Sequence, residues 1–447
     1  MNKINFIKKW EKLKTNQQPI WPDSNHYKEV INKLKTYPKL VTTDEIDSLR
    51  AELKQAANGE NFIIQGGDCA ETFSNFNADT IKNKVKILLQ MSAIIQVTTN
   101  ISTGLIGRIA GQYIKPRSNQ QETRKGVTLP SYRGDGVNAI EFNLHSRTPN
   151  PSRLITAYHQ SASTMNLIRS LIMQGYTDIN QIKLWDRIFL DNIQLKTKYN
   201  KIVQTIRNML DFAETTGMIG EEPKSIKNFF TSHEAIVLDY DNAFIYQDQN
   251  NKNYCCSSHM LWIGDRTRNI KDAHIQFASL IENPIGIKIG PTVNIDEIVQ
   301  ICKKINPYNY DDKLIFIIRL GYDSIAKFLP ALIKKIQSED LNVLWFCDPM
   351  HGNTITAKNG YKTRNFDTII NELKLFFDIH HRFNSIPAGV HLEMTGDNVT
   401  ECLGGLKNIQ DKDLDLRYET TCDPRLNNEQ SLEIAFLIAA LLKHKGE

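Results

Sequence analysis

The sequence lacks any apolar run long enough to cross a membrane. Its longest uninterrupted apolar stretch, residues 434–442, has nine residues, whereas a membrane-spanning helix needs about twenty. The basic amino terminus has no signal-peptide core either, because lysines interrupt its apolar residues. The sequence therefore predicts no membrane partner and a cytoplasmic location.

The chain also has little net charge and no ordered set of cysteines. A formal charge of +4 over 447 residues, without a long Lys/Arg block, argues against a nucleic-acid partner. The seven cysteines show neither a disulfide framework nor the paired CxxC spacing of a zinc site. Reduced thiols are the expectation.

The composition is that of an ordinary globular protein. Hydrophobic residues make up 41% and charged residues 23% of the chain, which is enough for a large core. At roughly 150 residues per domain the length would allow about three domains, although large α/β barrels are single domains of this size. Helical spacing of apolar residues predicts an amino-terminal helical extension over residues 1–58, followed by a catalytic barrel over residues 59–447.

Short apolar runs that end in a polar residue alternate with helix-length stretches. Eight candidate strands cover residues 61–65, 102–106, 261–263, 284–288, 314–318, 343–346, 389–391 and 416–420. Helical patterns separate several of them, at residues 273–281, 296–305, 325–336 and 366–377. This alternation predicts an α/β fold, a closed (β/α)8 TIM barrel. Residues 151–217 are predicted to form a helical hairpin inserted after the second strand.

Polar residues follow these strands at the point where a parallel barrel places its active site. They are Cys69, Arg108, Asp265, Arg266, Lys288, Arg319, His351, Glu393 and Asp423. Each alone is typical of an ordinary core or surface position. Together, the sulfur of Cys69, the imidazole of His351 and the carboxylates of Glu393 and Asp423 predict a site for Mn²⁺, Co²⁺, Fe²⁺ or Zn²⁺.

The cationic residues at the strand ends require an anionic ligand. Arg108, Arg266, Lys288 and Arg319 suit a small acid that carries phosphate and carboxylate groups. The alternative, a surface ion-pair network, fits poorly with the apolar runs that precede them. The loop after the second strand could hold a second phosphate, although a solvated loop is the alternative for so short a motif. Its residues are Lys115, Pro116, Arg117 and Ser118.

Eight ordered sequence blocks closely resemble the class II (plant-type) 3-deoxy-D-arabino-heptulosonate 7-phosphate (DAHP) synthases. The blocks are QGGDCAE (65–71), GRIAGQYIKPRS (107–118), LPSYRGD (129–135), LWIGDRTR (261–268), NPIGIKIGP (283–291), CDPMHGNT (347–354), HLEMTGDNVTECLGG (391–405) and YETTCDPRLN (418–427). The resemblance implies a transferase that opens the shikimate pathway. It condenses phosphoenolpyruvate with D-erythrose 4-phosphate and water to give DAHP and phosphate.

The resemblance also implies roles for individual residues. The family's metal ligands fall on Cys69, His351, Glu393 and Asp423, with Mn²⁺ the leading candidate metal. Its phosphoenolpyruvate contacts fall on Arg108, Asp265, Arg266, Lys288 and Arg319. Its erythrose 4-phosphate contacts fall on Lys115, Pro116, Arg117 and Ser118. The expected catalytic groups are Arg108, Lys115, Lys288 and His351; for the proton transfers of the attacking water, Lys115, His351 and a substrate phosphate all stay open.

Two other functions are alternatives to this prediction. Another phosphoenolpyruvate-dependent sugar-acid synthase would differ in the aldehyde accepted, and the loop at residues 115–118 argues for a short phosphorylated aldehyde. A non-catalytic regulatory homologue would be expected to have lost metal ligands, and all four are present.

Regulation and assembly are expected to involve the parts that a minimal barrel does not need. Residues 1–58 and 151–217 are predicted to pack in a homo-oligomer, a dimer or a tetramer, with an aromatic amino acid as effector; simple oligomer packing is the alternative.

A redox pair is the last hypothesis from the sequence. Cys422 precedes Asp423 and should lie near Cys69, so the two thiols could form a reversible disulfide after metal loss. The alternative is that Cys422 is an inert buried thiol.

Overall fold

The computed structural model of the chain describes residues 10–174 and 228–443, with isolated positions 197, 198, 200, 201 and 204 between them. The helices are α1 Ser24–Lys35, α2 Thr43–Ala57, α3 Ala78–Thr99, α4 Leu144–Arg147, α5 Ser152–Met173, α6 Leu238–Ala243, α7 Ala273–Ala278, α8 Ile295–Ile305, α9 Tyr322–Ser338, α10 Phe366–Arg382 and α11 Asn428–Lys443. The strands are β1 Asn61–Gly67, β2 Ser102–Arg108, β3 Gln121–Arg124, β4 Val127–Pro130, β5 Phe230–Glu234, β6 Ile245–Gln247, β7 Asn253–Cys255, β8 Met260–Ile263, β9 Ile285–Ile289, β10 Leu314–Ile318, β11 Leu344–Cys347, β12 Thr354–Thr356, β13 Lys362–Arg364 and β14 Pro387–Glu393.

Eight parallel strands close into a barrel, in the order β1, β2, β5, β8, β9, β10, β11, β14 and back to β1. Their residues are almost all buried, because side chains fill the interior on one face and helices cover the other. The six remaining strands of the described ranges form three antiparallel hairpins. The predicted (β/α)8 barrel is confirmed.

The predicted strand at residues 416–420 is wrong, and the third barrel strand was missed. A 3-10 helix, Asp411–Leu416, ends where that strand was expected to begin. The backbone N–H groups of Glu419 and Thr420 donate to the buried carboxylate of Glu401 at 3.1 and 2.8 Å, so this segment is not available for strand pairing. The missing strand is β5, and β14 closes the barrel against β1.

Helix α2 covers the amino-terminal end of the barrel. It begins with a capping box, in which Thr42 and Glu45 each bond the other's backbone N–H. Its apolar face, which includes Leu49 and Leu53, packs among barrel-interior side chains such as Phe346. The late part of the predicted amino-terminal extension therefore contributes to the barrel core.

We expect Leu53→Ala to destabilise the protein by about 2–5 kcal/mol, because it removes a fully buried side chain from the barrel interior. Denaturant unfolding of both forms measures the loss. Leu416→Ala is the matched control, since Leu416 is 73% exposed. Equal effects of the two substitutions would contradict a core role for α2.

Helix α5 forms the described part of the predicted insertion. It lies between β2 and β5 in the chain and packs against α1 and α6, where the rings of Tyr158 and Phe244 stack with centroids 5.4 Å apart. Most of the insertion after residue 174, and residues 1–9 of the predicted amino-terminal extension, lie outside the described residues. None of the helices in the described ranges is both long and apolar enough to span a membrane.

Candidate active site

The predicted site residues gather at the carboxyl-terminal end of the barrel. Arg108 and Glu393 end β2 and β14, and Lys288 is the penultimate residue of β9. Gly67, at the end of β1, pairs with both Arg108 and Glu393 across the sheet. A Cβ on Gly67 would lie 2.8 Å from the Arg108 carbonyl oxygen, so glycine permits this close approach.

Of the other predicted residues at the strand ends, all but Asp423 lie just beyond their strands. Cys69, Asp265, Arg266, Arg319 and His351 follow β1, β8, β10 and β11 within a few residues. Asp423 does not end a strand. It lies in the long segment between β14 and α11, so this segment returns to the same mouth to which β14 brings Glu393.

Three of the four predicted metal ligands form a compact cluster. The candidate ligand atoms of Cys69, Glu393 and Asp423 all lie within 4.8 Å of one another. His351 falls outside that group but adjoins it, with its Nε2 3.0 Å from Glu393 Oε1. Sulfur, imidazole nitrogen and carboxylate oxygen are together the donor set of a borderline divalent metal.

Glu393 is fully buried and surrounded by cations. Arg108 Nη2 donates to its Oε1 at 3.0 Å, and Arg364 Nη2 donates to its Oε2 at 2.7 Å. Burial alone would raise the pKa of Glu393, but His351, Arg364 and Arg108 outweigh it and hold the pKa well below its usual range. The carboxylate is therefore ionised and fixed in orientation.

Cys69 and Asp423 face each other, with Cys69 Sγ 3.6 Å from Asp423 Oδ2. Burial, together with a hydrogen bond to Cys422, raises the pKa of the Cys69 thiol well above its usual value. Lys362 Nζ lies 3.1 Å from Asp423 Oδ1. Because a metal ligand must be deprotonated, metal binding at this cluster would release the thiol proton.

The predicted anion-binding residues differ in depth. Arg108 is almost fully buried and is fixed by His391, whose Nε2 lies 2.8 Å from Arg108 Nη1, and by the ring of Trp262. Lys288 is also buried, whereas Arg319 is partly exposed and lies 3.7 Å from Asp265 Oδ2. A small anion could therefore contact two deep cations and one nearer to solvent.

The loop at residues 115–118 connects the cluster to the rim. Lys115 is buried and its Nζ donates to the carbonyl oxygen of Cys69 at 2.7 Å. At the rim, Arg266 Nη2 donates to Ser118 Oγ at 2.7 Å. Lys115 therefore lies beside the candidate metal ligands, whereas Ser118 lies at the rim, next to Arg266.

An open cavity of about 420 Å³ joins most of these groups, but among the described residues Cys69, Arg108 and Glu393 do not line it. Its walls include Lys115, Pro116, Arg117, Ser118, Glu234, Asp265, Arg266, Lys288, Arg319, His351, Lys362, Cys422 and Asp423. Its lining is polar, with six lysines and arginines against four acidic residues, and this excess of positive charge suits small polyanionic ligands.

Comparison with known proteins decides the family. The model of the class-II DAHP synthetase family matches residues 5–439. The chain belongs to this family. It is 46% identical over 435 residues to phospho-2-dehydro-3-deoxyheptonate aldolase of Streptomyces coelicolor, covering 97% of this chain and 96% of that one. It is 40% identical over 433 residues to the Mycolicibacterium smegmatis enzyme of the same name, covering 96% and 92%.

Membership of the class-II DAHP synthetase family confirms the predicted resemblance and the prediction of an enzyme for the aldol-type condensation of the shikimate pathway. A solved phospho-2-dehydro-3-deoxyheptonate aldolase from Francisella tularensis SCHU S4 is 12% identical, covers 97% of this chain and 100% of that one, and has a TM-score of 0.48. That likeness is too low to bear on either fold or function.

Four functional candidates were missed from the sequence. Asp348 and His391 stand inside the blocks CDPMHGNT and HLEMTGDNVTECLGG, so their neighbours could have pointed to them. Arg364 lies in a hairpin distant in sequence from Glu393, which it binds. Glu234 ends the strand that was missed. No pattern in the sequence pointed to these last two.

Proposed function

We propose that the chain condenses phosphoenolpyruvate with D-erythrose 4-phosphate and water, giving DAHP and phosphate, with a divalent metal at the barrel mouth. One observation carries the proposal: the compact Cys69, Glu393 and Asp423 cluster adjoins the same cavity that Lys288 and Arg319 line. A metal site beside a cationic pocket is the arrangement needed to join an aldehyde to a phosphorylated acid.

The residues at the cluster fit a divalent metal. Cys69, His351, Glu393 and Asp423 would hold it, and Mn²⁺ is the proposed ion, with Co²⁺, Fe²⁺ and Zn²⁺ as alternatives. When bound, such an ion supplies a Lewis acid for the aldehyde oxygen. The two carboxylates and the thiolate would carry one negative charge more than the ion offsets, and Arg108 and Arg364, which bond Glu393, compensate the excess.

Phosphoenolpyruvate is assigned to the deep cationic residues. Arg108 and Lys288 would contact it at depth and Arg319 nearer to solvent, with Asp265 and Arg266 completing the subsite. Erythrose 4-phosphate is assigned to the loop of Lys115, Pro116, Arg117 and Ser118. Arg266 adjoins both subsites, since it bonds Ser118, and would sit between the two phosphates.

In the proposed reaction, C3 of phosphoenolpyruvate forms a bond to the aldehyde carbon, and water adds at C2. The C2–O bond to phosphate then breaks and phosphate leaves. Arg108 and Lys288 would stabilise the charge that develops near C2. For the proton transfers of the water, Lys115, His351 and a substrate phosphate are the three candidates.

The assay that tests this function follows the loss of phosphoenolpyruvate absorbance with purified protein. Consumption should require erythrose 4-phosphate and should stop with a chelator and return with Mn²⁺. Consumption with a longer aldehyde such as arabinose 5-phosphate, and none with erythrose 4-phosphate, would favour another sugar-acid synthase. No consumption with any aldehyde by metal-loaded protein would favour a regulatory homologue.

Lys288 should give the pH profile an alkaline limb. Burial, together with Arg108, lowers its pKa to about 8 against the opposing effect of Asp348. Because Lys288 loses its charge as the pH rises through that value, kcat/KM for phosphoenolpyruvate should fall above about pH 8.

Rate measurements from pH 6 to pH 10 test this limb, which should be missing in Lys288→Met. Lys313→Met is the control: Lys313 is another buried lysine, with a pKa lowered by burial to about 7, but it bonds main-chain oxygens at the far end of the barrel. Loss of the alkaline limb in the Lys313 variant would contradict the assignment.

The two thiols of the predicted redox pair are in contact. Cys69 and Cys422 are both free, and their side chains are hydrogen-bonded to each other. Peroxide treatment of metal-free protein should join them in a disulfide, with the two thiol hydrogens lost and peroxide reduced to water. Peptide mapping detects the link, and Mn²⁺ bound beforehand should prevent it. Equally reversible inactivation of Cys422→Ala would contradict the pair.

Homo-oligomer formation, an aromatic amino acid effector and a cytoplasmic location stay predictions. Within one chain, α5 already packs on α1, and the rest of the insertion lies outside the described residues. Inhibition assays with Trp, Tyr and Phe, singly and together, test the effector.

A further inference from the structure

Asp348 is a fully buried carboxylate that binds two functional side chains at once. Its Oδ2 lies 2.5 Å from Lys288 Nζ and 2.7 Å from His351 Nδ1. Its Oδ1 accepts from the backbone N–H groups of Met350 and His351 at 3.1 and 3.2 Å. Oδ2 is therefore shared by a candidate metal ligand and a candidate substrate-binding lysine, while Oδ1 is anchored to the backbone and also lies 3.0 Å from His351 Nδ1.

This arrangement decides which nitrogen of His351 can reach a metal. Because Nδ1 faces Asp348, Nε2 points the other way, to within 3.0 Å of Glu393 Oε1. A carboxylate that accepts the Nδ1 proton leaves the Nε2 lone pair free for coordination, and it also fixes the plane of the ring.

Lys288 depends on the same oxygen. Its Nζ has Asp348 as its bonded side-chain partner within the described residues, and the lysine lies on β9 while Asp348 follows β11. The intervening strand, β10, separates the two elements in the barrel. The ion pair therefore holds the lysine at a set distance from His351.

We propose that Asp348 is a positioning residue whose one carboxylate group orients both His351 toward the metal and Lys288 toward phosphoenolpyruvate. This proposal rests on the proposed function. It deepens that function because it makes the geometry of the metal site and of the substrate site depend on one side chain. Asp348 itself is fully buried and is not one of the described residues that line the cavity.

Asp348→Asn is the variant that tests the shared oxygen. The amide can keep Oδ1 on the two backbone N–H groups while it places an NH₂ donor where Oδ2 accepted from Lys288 and His351. The dissociation constant for Mn²⁺, measured by equilibrium dialysis, should rise about 10- to 100-fold. The dissociation constant for phosphoenolpyruvate, measured by calorimetry, should rise about tenfold or more.

The control is Asp296→Asn, which alters the exposed ion pair of Asp296 with Lys335 and should leave both constants unchanged. Lys288→Met allows a double-mutant cycle with Asp348→Asn. If Asp348 affects phosphoenolpyruvate through the lysine, adding Asp348→Asn to Lys288→Met should weaken phosphoenolpyruvate binding less than it does in the wild-type background.

Both constants within twofold of wild type would overturn the proposal, as would a change in only one of them. Failure of both Asp348→Asn and the smaller Asp348→Ser to fold would assign Asp348 to folding and also overturn it. Because these readouts are binding constants, they can be measured whether or not wild-type protein turns over erythrose 4-phosphate. Failure of the proposed function and failure of this inference therefore give different results.

Discussion

Loss of any one proposed metal ligand is expected to reduce turnover by more than the roughly 10- to 100-fold typical of residues that only support a ligand. The variants are Cys69→Ser, His351→Ala, Glu393→Ala and Asp423→Ala. The candidate ligand atoms of Cys69, Glu393 and Asp423 lie within 4.8 Å of one another, so removing one leaves the others unable to complete the coordination. Activity assays with added Mn²⁺, together with metal analysis of dialysed protein, measure both consequences.

Cys302→Ser is the matched control for Cys69→Ser. Both cysteines are buried and free, but Cys302 lies on α8, outside the barrel mouth. We expect it to retain bound metal and turnover. Full activity of a chelated, metal-free preparation would contradict a role for metal, and a ligand variant with wild-type metal content would remove that residue from the set.

Arg319→Ala and Arg117→Ala are expected to affect different substrates. Each would remove a proposed charged donor to a phosphate, and loss of such a donor typically costs about 1.5–3 kcal/mol, or roughly 10- to 100-fold in affinity. Arg319→Ala should raise the KM for phosphoenolpyruvate, and Arg117→Ala the KM for erythrose 4-phosphate. Lys115→Ala should in addition lower kcat, because Lys115 bonds the Cys69 carbonyl beside the metal cluster.

Steady-state kinetics with each substrate varied in turn separate these effects. Lys303→Ala is a suitable control, since Lys303 forms an exposed ion pair with Glu339 on the outer helices. Interchanged KM effects would mean that the two phosphate subsites are assigned in reverse. A uniform fall in kcat for both arginine variants, with neither KM changed, would place the phosphates elsewhere.

Strand β5 was not predicted, because a search for apolar runs does not identify a strand made mostly of polar residues. Strand β5, Phe230–Glu234, is mostly polar, and its side chains are buried because other elements satisfy them. Thr231 bonds His259, and His233 Nε2 lies 2.9 Å from Asp241. Those partners are known only once the chain has folded. Residues 416–420 show the opposite error. Their side chains alternate between apolar and polar as in a strand, but two of their backbone N–H groups donate to Glu401.

The sequence predicted more of the candidate site than of the fold around it. Seven of the eight barrel strands follow from short apolar runs, and strand ends in a parallel barrel meet at one edge. This local pattern of apolar runs and polar strand ends was enough to predict that Cys69, Arg108 and Lys288 lie together. Asp423 was assigned to that edge through a strand that does not exist, and it arrives there by way of the long segment after β14.

The sequence by itself determined the barrel, the chemical types at its mouth and the family, because strand periodicity and ordered motifs are local properties of the chain. The tertiary structure decided which groups share a proton or a charge. Arg364 meets Glu393 and Asp348 meets Lys288 across sequence separations of 29 and 60 residues. Such pairs depend on barrel closure and strand register, since only the folded sheet brings the ends of distant strands within hydrogen-bonding distance.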